Sequence, residues 1–137
     1  MKQTDDLTGT YVLVHPELTF DPAFKQNQVG LVTGADLAND DVFVSFGKDG
    51  QARYSTDALL TLKPANDLYA DVMAGYKEMG TTDYKTLLQI TLLQQHGSLK
   101  DARAAIELAK DNPFVRDFSM ETLENQLGLE QAQEIGR

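Results

Sequence analysis

The chain has no cysteine and no tryptophan, and only two histidines and four prolines among 137 residues. The missing cysteines exclude disulfides, thiolate nucleophiles and zinc sites built on sulfur. The two histidines, His15 and His96, stand far apart, and neither belongs to an HxxxH or HxxE arrangement. Both read as surface residues, with His96 suited to the last turn of a helix by its favourable interaction with the dipole. Positive charge is also scarce: 12 Lys+Arg stand against 21 Asp+Glu, a net charge of −9. The excess of acid runs through both halves and would repel a phosphate backbone at long range, so nucleic acid is disfavoured as a partner. No apolar run reaches the roughly 20 residues that would cross a bilayer. The start, MKQTDDLTGT, lacks the features of a signal peptide. Cytoplasm and no membrane are the resulting expectations.

Catalytic signatures are missing as well. There is no G-x-S-x-G and no G-x-G-x-x-G, and "GKDG" (47–50) lacks the Ser or Thr and the following helix of a phosphate loop. "DLANDD" (36–41) gathers Asp36, Asn39, Asp40 and Asp41, but misses the spacing and closing Glu of a calcium loop, so an acidic hairpin tip is expected. No catalytic residue, metal site or cofactor is expected.

What is present begins with "DVFVSFGKDGQARYS" (41–55). Val42, Val44 and Phe46 alternate with Phe43 and Ser45, the pattern of a strand with one buried face. Asp49-Gly50 supplies turn chemistry, and Ala52 and Tyr54 resume the alternation, so a β-hairpin is expected. Thr10 to Val14 forms a further strand, stopped by Pro16. Val29 to Val32 forms another, where Gly30 signals a bend or a close backbone approach. One helical turn after Ser55 and a last strand over Leu60 to Leu62 complete five strands.

This run, "YVLV … VGLV … DVFVSFGKDG … YSTDALLTL", resembles the SH3-like small barrels of KOW and Tudor type over about the first 63 residues. The resemblance implies a five-stranded barrel with one helical turn before its last strand. In KOW-type members such a barrel binds RNA, ribosomal or polymerase surfaces; in Tudor-type members an aromatic cage takes methylated side chains. The chain departs from both: "HPELTFDPAFKQNQ" (15–28) is longer than a KOW turn, basic residues are few, and no tryptophan is available for a cage. That long segment carries Phe20 and Phe24. Either it presents two aromatics to a partner or both rings fold back over the open end of the barrel. Phe43, on the strand face opposite Val42 and Val44, is the third candidate binding residue.

From Asp67 the period becomes helical. Leu68, Val72, Tyr76 and Met79 form one stripe. Tyr84, Leu87, Leu88, Ile90, Leu92 and Leu93 suggest a helix buried almost all round. Ser98 with Asp101 resembles a capping box and opens a third helix, with Leu99, Ala102, Ile106 and Ala109 on its face. Asn112-Pro113 breaks it, and Ser119 is expected to cap a fourth helix carrying Met120, Leu123 and Leu127. "HGSLKDARAAIELA … LENQLG" is similar to the helix-turn-helix of winged-helix regulators through Gly97, Ser98, Ala102, Leu123, Glu124, Leu127 and Gly128. Its second half is acidic where recognition of DNA needs donors and positive charge.

The expected protein is therefore α+β: an SH3-like barrel over 1–64, then a helical domain of about four helices over 65–137 packed on it. The expected function is a non-catalytic protein-interaction module or adaptor using Phe20, Phe24 and Phe43. The alternative is a nucleic-acid- or ribosome-associated protein using the barrel or a degenerate helix-turn-helix.

Overall fold

Alternation at 41–45 produces a strand, β3 (Asp41–Ser45), in which Val42 and Val44 are fully buried and Phe43 faces the opposite way. The computed structural model describes residues 7–128. The chain divides into two units, one made of the stretch up to Thr61 together with the stretch from Glu121, the other of Leu62–Met120. The protein is mixed α+β, with a sheet in the first unit and helices in the second.

Besides β3, the strands are β1 (Tyr11–Val14), β2 (Val29–Asp36), β4 (Gln51–Tyr54), β5 (Leu59–Leu62) and β6 (Met120–Thr122). Their order is β4-β3-β2-β1-β5-β6. The first four run as an antiparallel meander, and β5 returns antiparallel to β1 through Leu13↔Leu60 and Val14↔Leu59. A 3-10 turn at Thr56–Ala58 precedes β5, as the sequence suggests. The expected closed barrel differs from the ladder observed. The sheet is open, with β4 and β6 at its edges, because the side of β5 that would have to meet β4 is occupied by β6.

One apolar cluster holds this unit: Val12, Val14, Val32, Val42, Val44, Tyr54 and Leu59 from the strands, joined by Leu7, Ala58 and Leu123. Full burial of each Val or Leu contributes roughly 1.5–3 kcal/mol against the entropy of ordering the chain. Gly30 lies under this layer. A Cβ there would fall 2.3 Å from Val44 Cγ1 and 2.8 Å from the Phe46 ring, so the close approach expected from the sequence is real. The β3–β4 turn takes positive φ at Gly47 (67°) and Gly50 (97°), a conformation glycine adopts without a Cβ clash.

The second unit contains α1 (Ala65–Gly75), α2 (Thr81–His96), α3 (Leu99–Lys110) and α4 (Pro113–Ser119). Neighbours in sequence pack together, and α2 also meets α4. On α1 the buried residues are Leu68 and Val72; the chain tightens to a 3-10 turn at Tyr76–Glu78, which takes Tyr76 off the buried stripe. On α2 only Leu87, Ile90 and Thr91 are buried and Leu92 is exposed, so this helix buries one side rather than its whole circumference, contrary to expectation. Ser98 caps α3 as expected, its Oγ accepting the Asp101 N–H at 3.0 Å.

The last expected helix is corrected. Pro113 opens a helix as well as ending the previous one, because proline at the first helical position sacrifices only an N–H that has no partner. Asn112 Oδ1 caps it by accepting from Phe114 N and Val115 N. Ser119 ends that helix, and Met120–Thr122 is a strand. Residues 123–128 are helical again. The helix-turn-helix likeness fails here: its two halves are separated by α4 and β6 and fall in different units. None of the described helices is long and apolar enough to cross a membrane.

Candidate functional site

The segment 15–28 leaves β1 at His15 and rejoins the sheet at β2. Its ends are pinned to strand backbone: Val14 N donates to Gln28 O, Asn27 N to Val14 O, and His15 N to Ala58 O. Its middle is organised by Asp21, which sequence reasoning did not single out. Only 5% of Asp21 is exposed, and its carboxylate accepts three hydrogen bonds of 2.9 Å. Oδ1 takes the Ala23 N–H; Oδ2 takes the Lys25 N–H and the Tyr54 hydroxyl. The signal for the local part was legible, since an aspartate before proline favours a turn in which the side chain takes an N–H two residues on. The long-range partner was not.

Tyr54 anchors the hub to the sheet. Burial, with the hydrogen bond and negative charge of Asp21 adding to it, pushes its hydroxyl well above the usual phenol range. Its ring meets Phe46 edge-on, centroids 6.4 Å apart, and Lys25 Nζ lies 5.8 Å from the Phe46 centroid. A loop with so few repeating backbone bonds is thus fixed by one buried carboxylate and a sheet tyrosine.

This fixed loop displays its aromatics. Phe20 is 79% exposed and Phe24 is 80% exposed. Neither folds back as a cover for the sheet. Phe24 also has φ +56°, a left-handed conformation that costs a non-glycine residue roughly 1–2 kcal/mol. The Asp21 bonds to the N–H groups on either side of Phe24 hold it there. Phe43 stands apart from these two in environment: it is 39% exposed on β3, opposite Gly34 and Arg53, and its ring lies 3.8 Å from where a Cβ on Gly34 would be. It therefore covers bare backbone while leaving part of its ring open.

Two of the clefts on the sheet unit are lined by described residues. One, of about 300 Å³, is lined by His15, Glu17, Leu18, Thr19 and Asp57 at the base of the loop. The other, of about 320 Å³, lies between Leu37, Asp40, Thr56, Glu124, Leu127 and Gly128. The acidic stretch at 36–41 uses its carboxylates internally: Asp36 accepts from Asn39, Asp40 Oδ1 accepts from Thr56 N and Oγ1, and Asp41 pairs with Arg53 at 3.6 Å. Among the described residues no group of three or more His, Asp or Glu side chains is arranged to hold a metal ion. His96 sits at the end of α2 with Nδ1 3.0 Å from Asp101.

Comparison with protein-family models, with curated proteins and with solved structures gave no match. The site is therefore read from its own chemistry.

Proposed function

We propose that the sheet unit is an SH3-like module, opened by its sixth strand, that acts as a non-catalytic protein-interaction domain through the 15–28 loop. The single observation that carries this reading is the pair of phenylalanines, each about four-fifths exposed, on a loop hydrogen-bonded to the sheet through a buried carboxylate. Large rings held out in water gain free energy when a partner covers them, and a pre-ordered loop loses little entropy on binding. The four-strand meander, the 3-10 turn and the return of β5 to β1 support the SH3-like description. Phe43 adds a further half-exposed ring on the same unit.

The test compares the native chain with a Phe20→Ser, Phe24→Gly variant, each purified from native lysate with and without nuclease. A defined protein that survives nuclease and is lost from the variant supports the proposal. Partners that vanish with nuclease favour nucleic-acid or ribosome association. Partners retained by the variant move the interface away from the loop.

A further inference from the structure

We propose that β4 is an interaction edge through which the sheet units of two copies of this chain pair antiparallel, about a two-fold axis at Ala52. β4 ends the sheet on one side, with β3 as its neighbour on the other. The Phe46 N–H donates to Gly50 O at 2.8 Å, and this pair fixes the alternation along the hairpin. Gly50, Ala52 and Tyr54 therefore turn their backbone groups toward β3, while Gln51 and Arg53 turn theirs away. The N–H and C=O of Gln51 and of Arg53 have no hydrogen-bond partner among the described residues. Three usual guards of an edge are missing here. The strand has no proline and no lysine, the register shift of this sheet falls between β2 and β3 at Val32/Gly34, and the charge of Arg53 is already paired with Asp41 at 3.6 Å.

Register points to a second copy as the occupant. A two-fold axis that keeps core face beside core face passes through a residue, because neighbours in the strand face opposite ways. At Ala52 the axis sets Gln51 opposite Arg53 of the partner subunit, twice by symmetry, and the free groups close four N–H···O=C bonds. The two Ala52 methyls then meet at a position without ladder bonds, where strands come closest and small side chains fit. An axis at Arg53 instead sets two guanidinium groups face to face, which is destabilising. An axis at Gln51 sets Arg53 opposite Asp49, which lies in a 3-10 turn outside the strand. Four strand residues per copy bury well under the roughly 1,000 Å² of a stable interface, so the dimer is weak and concentration-dependent. The net charge of −9 on each copy opposes it at long range, so added salt strengthens it.

The test is sedimentation equilibrium of the full chain from about 10 μM to about 1 mM, at low and at physiological salt. The expected result is a monomer–dimer equilibrium that tightens with salt. Arg53→Pro removes an N–H that faces away from β3, so it should abolish the dimer and leave the hairpin ladder intact. Matched melting curves verify its fold, and if it fails to fold the Gln51 variants decide. Gln51→Glu places a carboxylate opposite the partner's Arg53 at two symmetric positions and should tighten association about two- to tenfold. Gln51→Lys should weaken it by a similar factor. Net charge alone gives the reverse order, because Gln51→Glu makes each copy more negative. That reverse order overturns the proposal, as does a chain still monomeric at about 1 mM. Dimers retained by a folded Arg53→Pro chain overturn it too. The Phe20→Ser, Phe24→Gly variant should dimerise like the native chain; if it does not, the copies meet through the 15–28 loop and the edge is not the interface.

Discussion

The Tyr54 hydroxyl donates a 2.9 Å hydrogen bond to Asp21 Oδ2, tying the end of β4 to the middle of a loop 33 positions earlier. The same oxygen takes the Lys25 N–H, and its twin takes the Ala23 N–H. Asp21→Asn keeps the shape but replaces one acceptor oxygen with a donor, so a buried donor is left facing another donor. The expected loss is about 1–3 kcal/mol in urea unfolding. Faster amide exchange at 21–27 should accompany it, because the loop loses its fastening before the sheet does. A variant as stable as the native chain, with unchanged exchange, would remove the hub from the account.

Tyr54 sets an alkaline limit. Its phenol is held protonated by burial and by Asp21, so its folded pKa lies above the unfolded value. A group raised in this way stabilises the fold fully below the unfolded phenol's pKa, near about 10, and that contribution is lost as pH climbs toward the folded pKa. Stability should therefore fall above about pH 10. In a phenolate absorbance titration one tyrosine should ionise only as the fold melts. Tyr54→Phe should abolish that delayed step.

Gly30 shows what the sequence made legible. A glycine among valines signalled a close approach, and the space a Cβ would need is filled by Val44 and Phe46. Val44 is fully buried and has no solvent to retreat into. Gly30→Ala should cost about 1–3 kcal/mol by overpacking, measured as a lower urea midpoint with unchanged slope. Val44→Ala in the same chain should recover part of the loss, since it removes the atom in collision.

The hairpin strand was legible because Val42 and Val44 alternate with outward residues, whereas β1 and β5, each buried at three successive positions, were legible from their apolar composition and their stops. The sixth strand was not. Met120–Thr122 is three residues long, too short for alternation to register, and it is defined by its place beside β5 rather than by its own pattern. Leu123 and Leu127 looked helical and are, but they serve the sheet unit's core, which no local period reveals. At the loop, Phe20 and Phe24 were visible as candidates while Asp21 was not. Its importance comes from a tyrosine far along the chain, and spacing carries no information about such a meeting.

The three candidate phenylalanines should separate in stability. Phe20→Ser and Phe24→Gly remove rings that are already wet, so unfolding should change by no more than about 0.5 kcal/mol. Phe24→Gly also relieves a left-handed φ, which offsets the added freedom of the unfolded chain. Phe43→Ala uncovers Gly34 and should cost about 1 kcal/mol or somewhat more. Equal costs at all three sites would show that the loop rings are buried in solution, and the proposed interface would lose its basis.

Asn112 gives the corresponding test in the helical unit. Its Oδ1 accepts from Phe114 N and Val115 N, while its Nδ2 donates to Asp83 Oδ1 at 2.8 Å, so one side chain caps α4 and fastens it to the first turn of α2. Asn112→Ala loses both and should cost about 1–2 kcal/mol, the upper part of the range for a cap. Asn112→Asp keeps the cap and gains from negative charge at a helix start, but it places a second carboxylate against Asp83. Thermal melts of the two variants with and without Asp83→Asn separate the terms. If the cap dominates, Asn112→Asp with Asp83→Asn should melt close to the native chain, with Asn112→Ala remaining below it. If the link to Asp83 dominates, Asp83→Ala alone should reproduce the loss seen in Asn112→Ala.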